Sequence, residues 1–148
     1  MRIFLWINFV LSSLIVLLIF LQAYLITAYV TGAGEGALDA HGFVGFAIIH
    51  AAELLVFLTA FGAWPKQWKW IGFTFALFVV GTIQIFLLPP DDDPVTKSAA
   101  YVHGLHGLFA VVVLVMAAII AYRGMRDLGL RNGHRDELAG ADTPLPPP

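Results

Sequence analysis

Four long apolar runs constrain the fold of this 148-residue chain more than any other feature. They cover residues 3–30, 41–64, 70–88 and 99–122, and each has the roughly 20 residues that a helix needs to cross a bilayer. Such spans must be helical, because lipid offers no hydrogen-bond partner to an open backbone. The sequence therefore predicts an all-α fold, a four-helix transmembrane bundle in up-down-up-down order, within residues 1–124.

The two ends of the chain need a separate interpretation. The first run has an apolar stretch of about 27 residues, longer than the roughly 7–15 of a secretion signal, so we interpret it as an uncleaved helix. Residues 125–148 are polar and end in prolines, and they predict a disordered cytoplasmic tail. The absence of cysteine excludes disulfides and thiolate metal sites.

The positive charges predict the orientation of the bundle. Only Lys97 among the eight Lys and Arg residues falls on one side of the predicted membrane. The loops on that side, 31–40 and 89–98, carry five acidic residues. The positive-inside rule then places both termini in the cytoplasm. The seven remaining cations follow from this topology and leave no basic surface for nucleic acid; they are Arg2, Lys66, Lys69, Arg123, Arg126, Arg131 and Arg135.

Polar side chains inside apolar spans are candidates for function, because each one costs free energy in a bilayer. All four runs contribute to one such set, and all but one of its members fall in the half predicted to face outward. Glu53 alone approaches the midplane. The set is Gln22, His41, His50, Glu53, Gln84, His103 and His106.

This arrangement predicts a haem b site in the outer half of the bundle, between the second and fourth spans. Such a site needs two imidazoles at similar depth with small residues beside them, and His50 and His106 match in depth within about 5 Å. Glu53 or a glutamine would bond the second ring nitrogen of a ligand. We take His50 and His106 as the axial ligands, with His41 and His103 in reserve.

His41 is placed in reserve because of helical phase. It precedes His50 by nine residues, which in a regular helix points the two rings about 180° apart. That geometry changes only if the helix starts later or bends at Gly42 or Gly45.

Four alternatives remain open for the same residues. The pairs His50-x-x-Glu53 and His103-x-x-His106 each place two ligands on one helix face, as a transition-metal site requires. A quinone or a lipid head group could occupy the pocket, and a chlorophyll also accepts an axial histidine. Finally, the histidines of an accessory subunit could bond to neighbouring helices for purely structural reasons.

Short motifs in all four spans resemble a small bacterial family of four-helix membrane proteins without an assigned activity. They are "FLQAYLITAYVTGAG" (20–34), "HGFVGFAIIHAAELLVFLTAFGAWP" (41–65), "GTIQIFL" (81–87) and "GLHGLFAVVVLV" (104–115). The resemblance implies a site formed by Gln22, His41, His50, Glu53, Gln84 and His106, in the bacterial cytoplasmic membrane. His103 lies outside the family pattern, and Gly107 stands where a proline often follows the Leu-His pair. The general layout is also similar to one four-helix half of haem A synthase and to other b-type membrane cytochromes.

Two axial histidines would leave no open position on the iron for oxygen chemistry, which favours electron transfer over catalysis. We therefore expect a haem protein of the lipid bilayer that exchanges electrons with a quinone or another redox partner, or acts within a larger respiratory or photosynthetic complex. The rival hypothesis is an accessory or assembly subunit of such a complex, with no pigment of its own.

Overall fold

The computed structural model describes residues 2–87 and 96–130, apart from the side chain of Ser98. These residues are helical, with no strand among them. Most of the predicted outer loop 89–98, and residues 131–148 of the predicted tail 125–148, lie outside the described residues. Residues 125–127, predicted to be disordered, instead continue the helix Lys97–Asp127.

Five α-helices and two wider turns build the described part of the chain. The helices are α1 (Arg2–Ala28), α2 (Glu35–Phe43), α3 (His50–Ala63), α4 (Trp68–Ile85) and α5 (Lys97–Asp127). The wider turns are π-helical; one extends α1 through Tyr29–Ala33, and the other, Val44–Ile49, joins α2 to α3.

Four helical segments are long and apolar enough to cross a membrane. They are Arg2–Ala33, Glu35–Ala63, Trp68–Ile85 and Ala99–Asp127. The predicted all-α class and the four apolar spans are therefore confirmed for the described residues, and the composition of these helices suits a multi-pass membrane protein.

The four spans pack as a closed ring. α1 contacts α3 and α5, and α4 contacts the same two helices from the other side. The core inside the ring is made of branched and small side chains that are almost wholly buried, and the small ones let the helix backbones approach closely. Its fully buried members include Ile15, Val56, Ala60, Leu77, Val113, Ala117 and Ile120.

One end of the bundle is closed by a polar and aromatic cluster, which we call the tryptophan end (Trp64, Trp70, Arg123 and Asp127). The buried indole of Trp64 donates its Nε1–H to Asp127 Oδ2 at 2.8 Å. Arg123 Nε donates to the same oxygen at 2.8 Å, and its guanidinium lies 5.1 Å from the centre of the Trp70 ring. These contacts tie the ends of α3 and α5 and the start of α4 together.

We expect Trp64→Phe to lower the free energy of unfolding by about 2 kcal/mol or more, because the hydrogen bond to Asp127 is lost and the smaller ring leaves a cavity at a buried position. Trp68→Phe is the matched control, since Trp68 is 71% exposed. Unfolding in detergent by sodium dodecyl sulfate, followed by circular dichroism, compares the two variants. Equal midpoints for both would show that the indole bond contributes nothing.

The opposite end of the bundle is packed differently. None of the described side chains in residues 16–48, 82–87 and 96–112 is fully buried. The four helices therefore enclose a core toward the tryptophan end, and they leave the end that carries His41 and His106 loosely filled.

Candidate functional site

Five of the seven residues singled out in the sequence lie together at this loosely packed end, which we call the histidine end (Gln22, His41, Gln84, His103 and His106). The structure joins them in specific pairs through hydrogen bonds between different helices. The remaining two, His50 and Glu53, form a separate pair within α3.

Gln22 of α1 and His41 of α2 make a reciprocal contact. The Gln22 side chain donates from Nε2 to the backbone carbonyl of His41 at 2.9 Å. His41 Nδ1 lies 3.2 Å from the backbone carbonyl of Gln22, and because a carbonyl only accepts, Nδ1 carries the proton. Gly45 leaves room for this contact, since a Cβ there would overlap Gln22 Nε2. In neutral His41 the lone pair is therefore on Nε2.

In the pair of Gln84 on α4 and His106 on α5, the histidine again bonds the backbone carbonyl of the glutamine. His106 Nδ1 donates to the backbone carbonyl of Gln84 at 3.0 Å. Its Nε2 lies 3.4 Å from Gln84 Nε2, where an amide N–H points to a ring lone pair at a distance that makes only a weak bond. His106, like His41, is thereby held as the tautomer whose Nε2 is free to accept a stronger ligand.

This correspondence between the two helix pairs was not found in the sequence. In each pair a glutamine near the end of the first span fixes a histidine near the start of the second through its own backbone carbonyl. The sequence does show a similar number of residues between Gln22 and His41 as between Gln84 and His106. The residues around these positions show no repeat, so the spacing alone did not predict two equivalent pairs. Each helix pair thus supplies one oriented imidazole.

The two oriented imidazoles lie close together. The ring centres of His41 and His106 lie 6.3 Å apart with an interplanar angle of 53°. A metal ion bound by both Nε2 atoms at about 2.0–2.1 Å each would hold the ring centres about 6–6.5 Å apart. The observed separation of the ring centres, 6.3 Å, falls within this range.

The π-helical turn Val44–Ile49 explains why His41 takes this position. The backbone N–H of His50 donates to the carbonyl of Gly45, five residues back, so this turn holds one residue more than an α-helical turn. One extra residue rotates His41 relative to His50 by roughly 100°. The expectation that the two rings point about 180° apart assumed a regular helix, and the wide turn at Gly45 removes that assumption.

His103 has a simpler environment. Its Nδ1 donates to the backbone carbonyl of Leu87 at 2.8 Å, just beyond the last residue of α4. Carbonyls at a helix C-terminus have no partner within the helix, so this bond satisfies one of them. The contact gives His103 a structural role at the end of α4.

His50 and Glu53 form a second site, one that faces α4. Glu53 is 1% exposed, and its Oε2 lies 3.0 Å from His50 Nδ1. The carboxylate fits against α4 only because Gly81 has no side chain, since a Cβ at Gly81 would overlap it. The His50 ring stacks on Phe78 at 4.9 Å with an interplanar angle of 18°. Among the described residues no partner bonds His50 Nε2.

Two further observations describe the surroundings of His41 and His106. The side-chain oxygen Oε1 of Gln22 is buried without a hydrogen-bond donor, which is costly unless a donor or water reaches it. A Cβ added to Gly42, Gly104 or Gly107 would meet no atom within 4 Å, and all three glycines are exposed, so the helix surface next to His41 and His106 is free of side chains there.

The transition-metal alternative finds less support. Within residues 2–87 and 96–130, no group of three or more His, Cys, Asp or Glu side chains comes together that could hold a metal ion. The pairs His50-x-x-Glu53 and His103-x-x-His106 therefore do not converge on one centre there. Two imidazoles suffice only for a metal whose other ligands come from elsewhere, as in a haem.

Comparisons of this chain with protein-family models, with curated proteins and with solved structures gave no match. The functional argument therefore rests on the geometry of the two sites.

Proposed function

We propose that this protein binds one haem b at the histidine end, with His41 and His106 as axial ligands, and that it carries electrons in the bacterial cytoplasmic membrane. The single observation behind the proposal is the pair of neighbouring imidazoles, with ring centres 6.3 Å apart and each Nδ1 bonded to a backbone carbonyl. This pair replaces the pairing of His50 with His106 that similar depth suggested.

The surroundings of the pair fit a haem better than a small ion. Gly42, Gly104 and Gly107 are exposed and free of neighbouring side chains, and no described side chain at that end is fully buried, which leaves surface space that a large apolar group would fill. Gln22 Oε1 offers an unused hydrogen-bond acceptor close to His41. A bare ion would leave this space unfilled.

The residues of the chain have distinct tasks in this proposal. Gln22 and Gln84 hold the two rings as the tautomer that presents Nε2, which raises ligand basicity and fixes ring orientation. The apolar helices keep water from the site. When bound, the haem supplies one-electron chemistry, and two histidine ligands leave no open position for oxygen.

The membrane topology belongs to the same proposal. The seven cations on one side and the acidic loops on the other support an up-down-up-down bundle with both termini in the cytoplasm. The tryptophan end then faces the cytoplasm, and the histidine end lies in the outer half of the bilayer, within reach of an extracytoplasmic redox partner or a larger membrane complex.

An absorption spectrum of the purified protein, first oxidised by air and then reduced with dithionite, tests the proposal. We expect a Soret band that shifts on reduction, with sharp α and β bands of low-spin haem. A chlorophyll would show red absorption without this redox response. A colourless protein from cells with ample haem would overturn the proposal.

The second candidate is an accessory subunit with structural histidines, which the contact of His103 with Leu87 favours. In that role His41 and His106 would also serve only to join helices. This candidate predicts a colourless protein that co-purifies with a partner, so the same spectrum separates the two functions.

A further inference from the structure

The pair of His50 and Glu53 does not contact the haem proposed above, yet burying its carboxyl group inside the bundle costs free energy. Glu53 lies ten residues before the end of α3, roughly 15 Å into the bundle at the rise of an α-helix. A carboxyl group at this depth is expensive, and intramembrane ionisable residues generally mark a ligand or proton path. A neutral amide could join α3 to α4 at lower cost.

The pair is held in one geometry by three contacts. Gly81 admits the carboxyl group, Glu53 Oε2 bonds His50 Nδ1 at 3.0 Å, and Phe78 stacks under the imidazole. The side chain of Glu53 is 2% exposed, whereas that of His50 is 23% exposed. The carboxyl group is therefore sealed inside the bundle, and the imidazole is the group through which it can be reached.

The approach to His50 is aromatic and apolar. Leu54 lies one turn after His50 on α3 and is 38% exposed. On α4, Phe75 lies three residues before Phe78 and is 48% exposed, with its ring 5.1 Å from that of Phe57. A ligand that reaches His50 must therefore come from the hydrocarbon of the bilayer and tolerate contact with aromatic rings.

The chemistry of the pair suits a ligand that exists with and without a hydroxyl proton. When Glu53 is a carboxylate, it accepts from Nδ1–H of His50, so Nε2 is a hydrogen-bond acceptor for a hydroxyl group. When Glu53 is protonated, it can donate to Nδ1, and Nε2–H becomes a donor for a carbonyl group. Moving one proton thus converts the site from a hydroxyl binder into a carbonyl binder.

From this geometry we infer that His50 and Glu53 bind the head group of a lipid-soluble hydroquinone at the seam between α3 and α4 and accept its proton. The hydroquinone O–H bond breaks, its proton binds Nε2 of His50, and the Nδ1 proton passes to Oε2 of Glu53. The ligand becomes the hydroquinone anion, and the charge of the pair changes from negative to neutral. Only the fate of the electrons rests on the haem proposed above.

The test measures binding of decyl-benzohydroquinone to the full-length protein in lipid nanodiscs under anaerobic conditions. We expect saturable binding of one molecule per chain, weakened about tenfold or more by Glu53→Gln, because a charge-assisted hydrogen-bond chain is lost. Glu35→Gln is the matched control, since Glu35 is an exposed carboxylate at the start of the same span. It should bind as the unchanged protein does.

An infrared difference spectrum adds a readout that a purely structural pair would not give. Binding should produce a carboxylic acid C=O band that Glu53→Gln removes and Glu35→Gln keeps. Should Glu53→Gln not fold, His50→Gln must show the same loss of binding and of the band. The inference is overturned if the protein takes up no more hydroquinone than empty nanodiscs do. It is also overturned if Glu53→Gln and Glu35→Gln bind the hydroquinone with the same affinity.

The two proposals fail separately. A colourless protein that still binds the hydroquinone would disprove the haem and leave this site standing. A haem protein with no saturable hydroquinone binding would do the reverse.

Discussion

Replacing His106 by alanine is expected to abolish haem retention while the protein still inserts into the membrane. The substitution removes one of two axial ligands, and the ring of His41, 6.3 Å away, cannot supply the second bond. His41→Ala should have the same effect, because the ligands come one from each helix pair. Haem content per chain, measured as the pyridine haemochrome of the purified protein, provides the result.

Two other histidines serve as controls for this prediction. His103 lies three residues before His106 on α5. His103→Ala removes only the hydrogen bond to the carbonyl of Leu87, so the haem should remain. His50→Ala should also keep the haem, whereas a ligand pair of His50 and His106 requires that it be lost.

Rescue distinguishes ligand loss from misfolding. Imidazole added to His106→Ala should restore a low-spin spectrum, because the space left by the ring is open to a free ligand. Full haem occupancy in both His41→Ala and His106→Ala would exclude these residues as ligands.

The second large effect is expected at Gly81, where α4 receives the buried carboxyl group of Glu53. Gly81→Ala should lower the free energy of unfolding by about 1–3 kcal/mol, because the new Cβ would overlap the carboxyl group and force the two helices apart. Gly72→Ala on the same helix meets no atom within 4 Å and should be neutral or slightly stabilising. Unfolding by sodium dodecyl sulfate, monitored by circular dichroism, compares the two.

A double substitution isolates the contact. Glu53→Ala removes the carboxyl group, so adding Gly81→Ala to it should cost much less than Gly81→Ala alone, a coupling that a double-mutant cycle measures. If Gly81→Ala proves as stable as Gly72→Ala, the close packing of Glu53 on α4 is wrong.

Much of the histidine end could be foreseen from residue type and depth alone. Gln22, Gln84 and His106 were selected because polar side chains are costly in lipid, and all three do meet other helices through hydrogen bonds. The same reasoning passed over Asn8, which donates to the carbonyl of Val56 at 2.7 Å inside the bundle.

The pairing of the histidines could not be foreseen in this way. Depth along a regular helix made His50 the natural counterpart of His106, whereas the ring that contacts His106 is that of His41. The reason is the wide turn at Val44–Ile49, whose one extra residue rotates His41 relative to His50. The residue types in that segment do not predict a π-helical turn, although Gly45 indicated that the helix could bend there.

The amino-acid sequence by itself determined that this protein has four apolar helical spans and which polar side chains they carry, because hydropathy and helix length are local properties. The tertiary structure alone decided that two helix pairs each present one oriented imidazole. It also decided that the carboxyl group of Glu53 is buried against Gly81 and hydrogen-bonded to the partly exposed ring of His50. Those relations depend on the phase of each helix and on contacts between residues far apart in the chain, and one additional residue in a single turn is enough to change them.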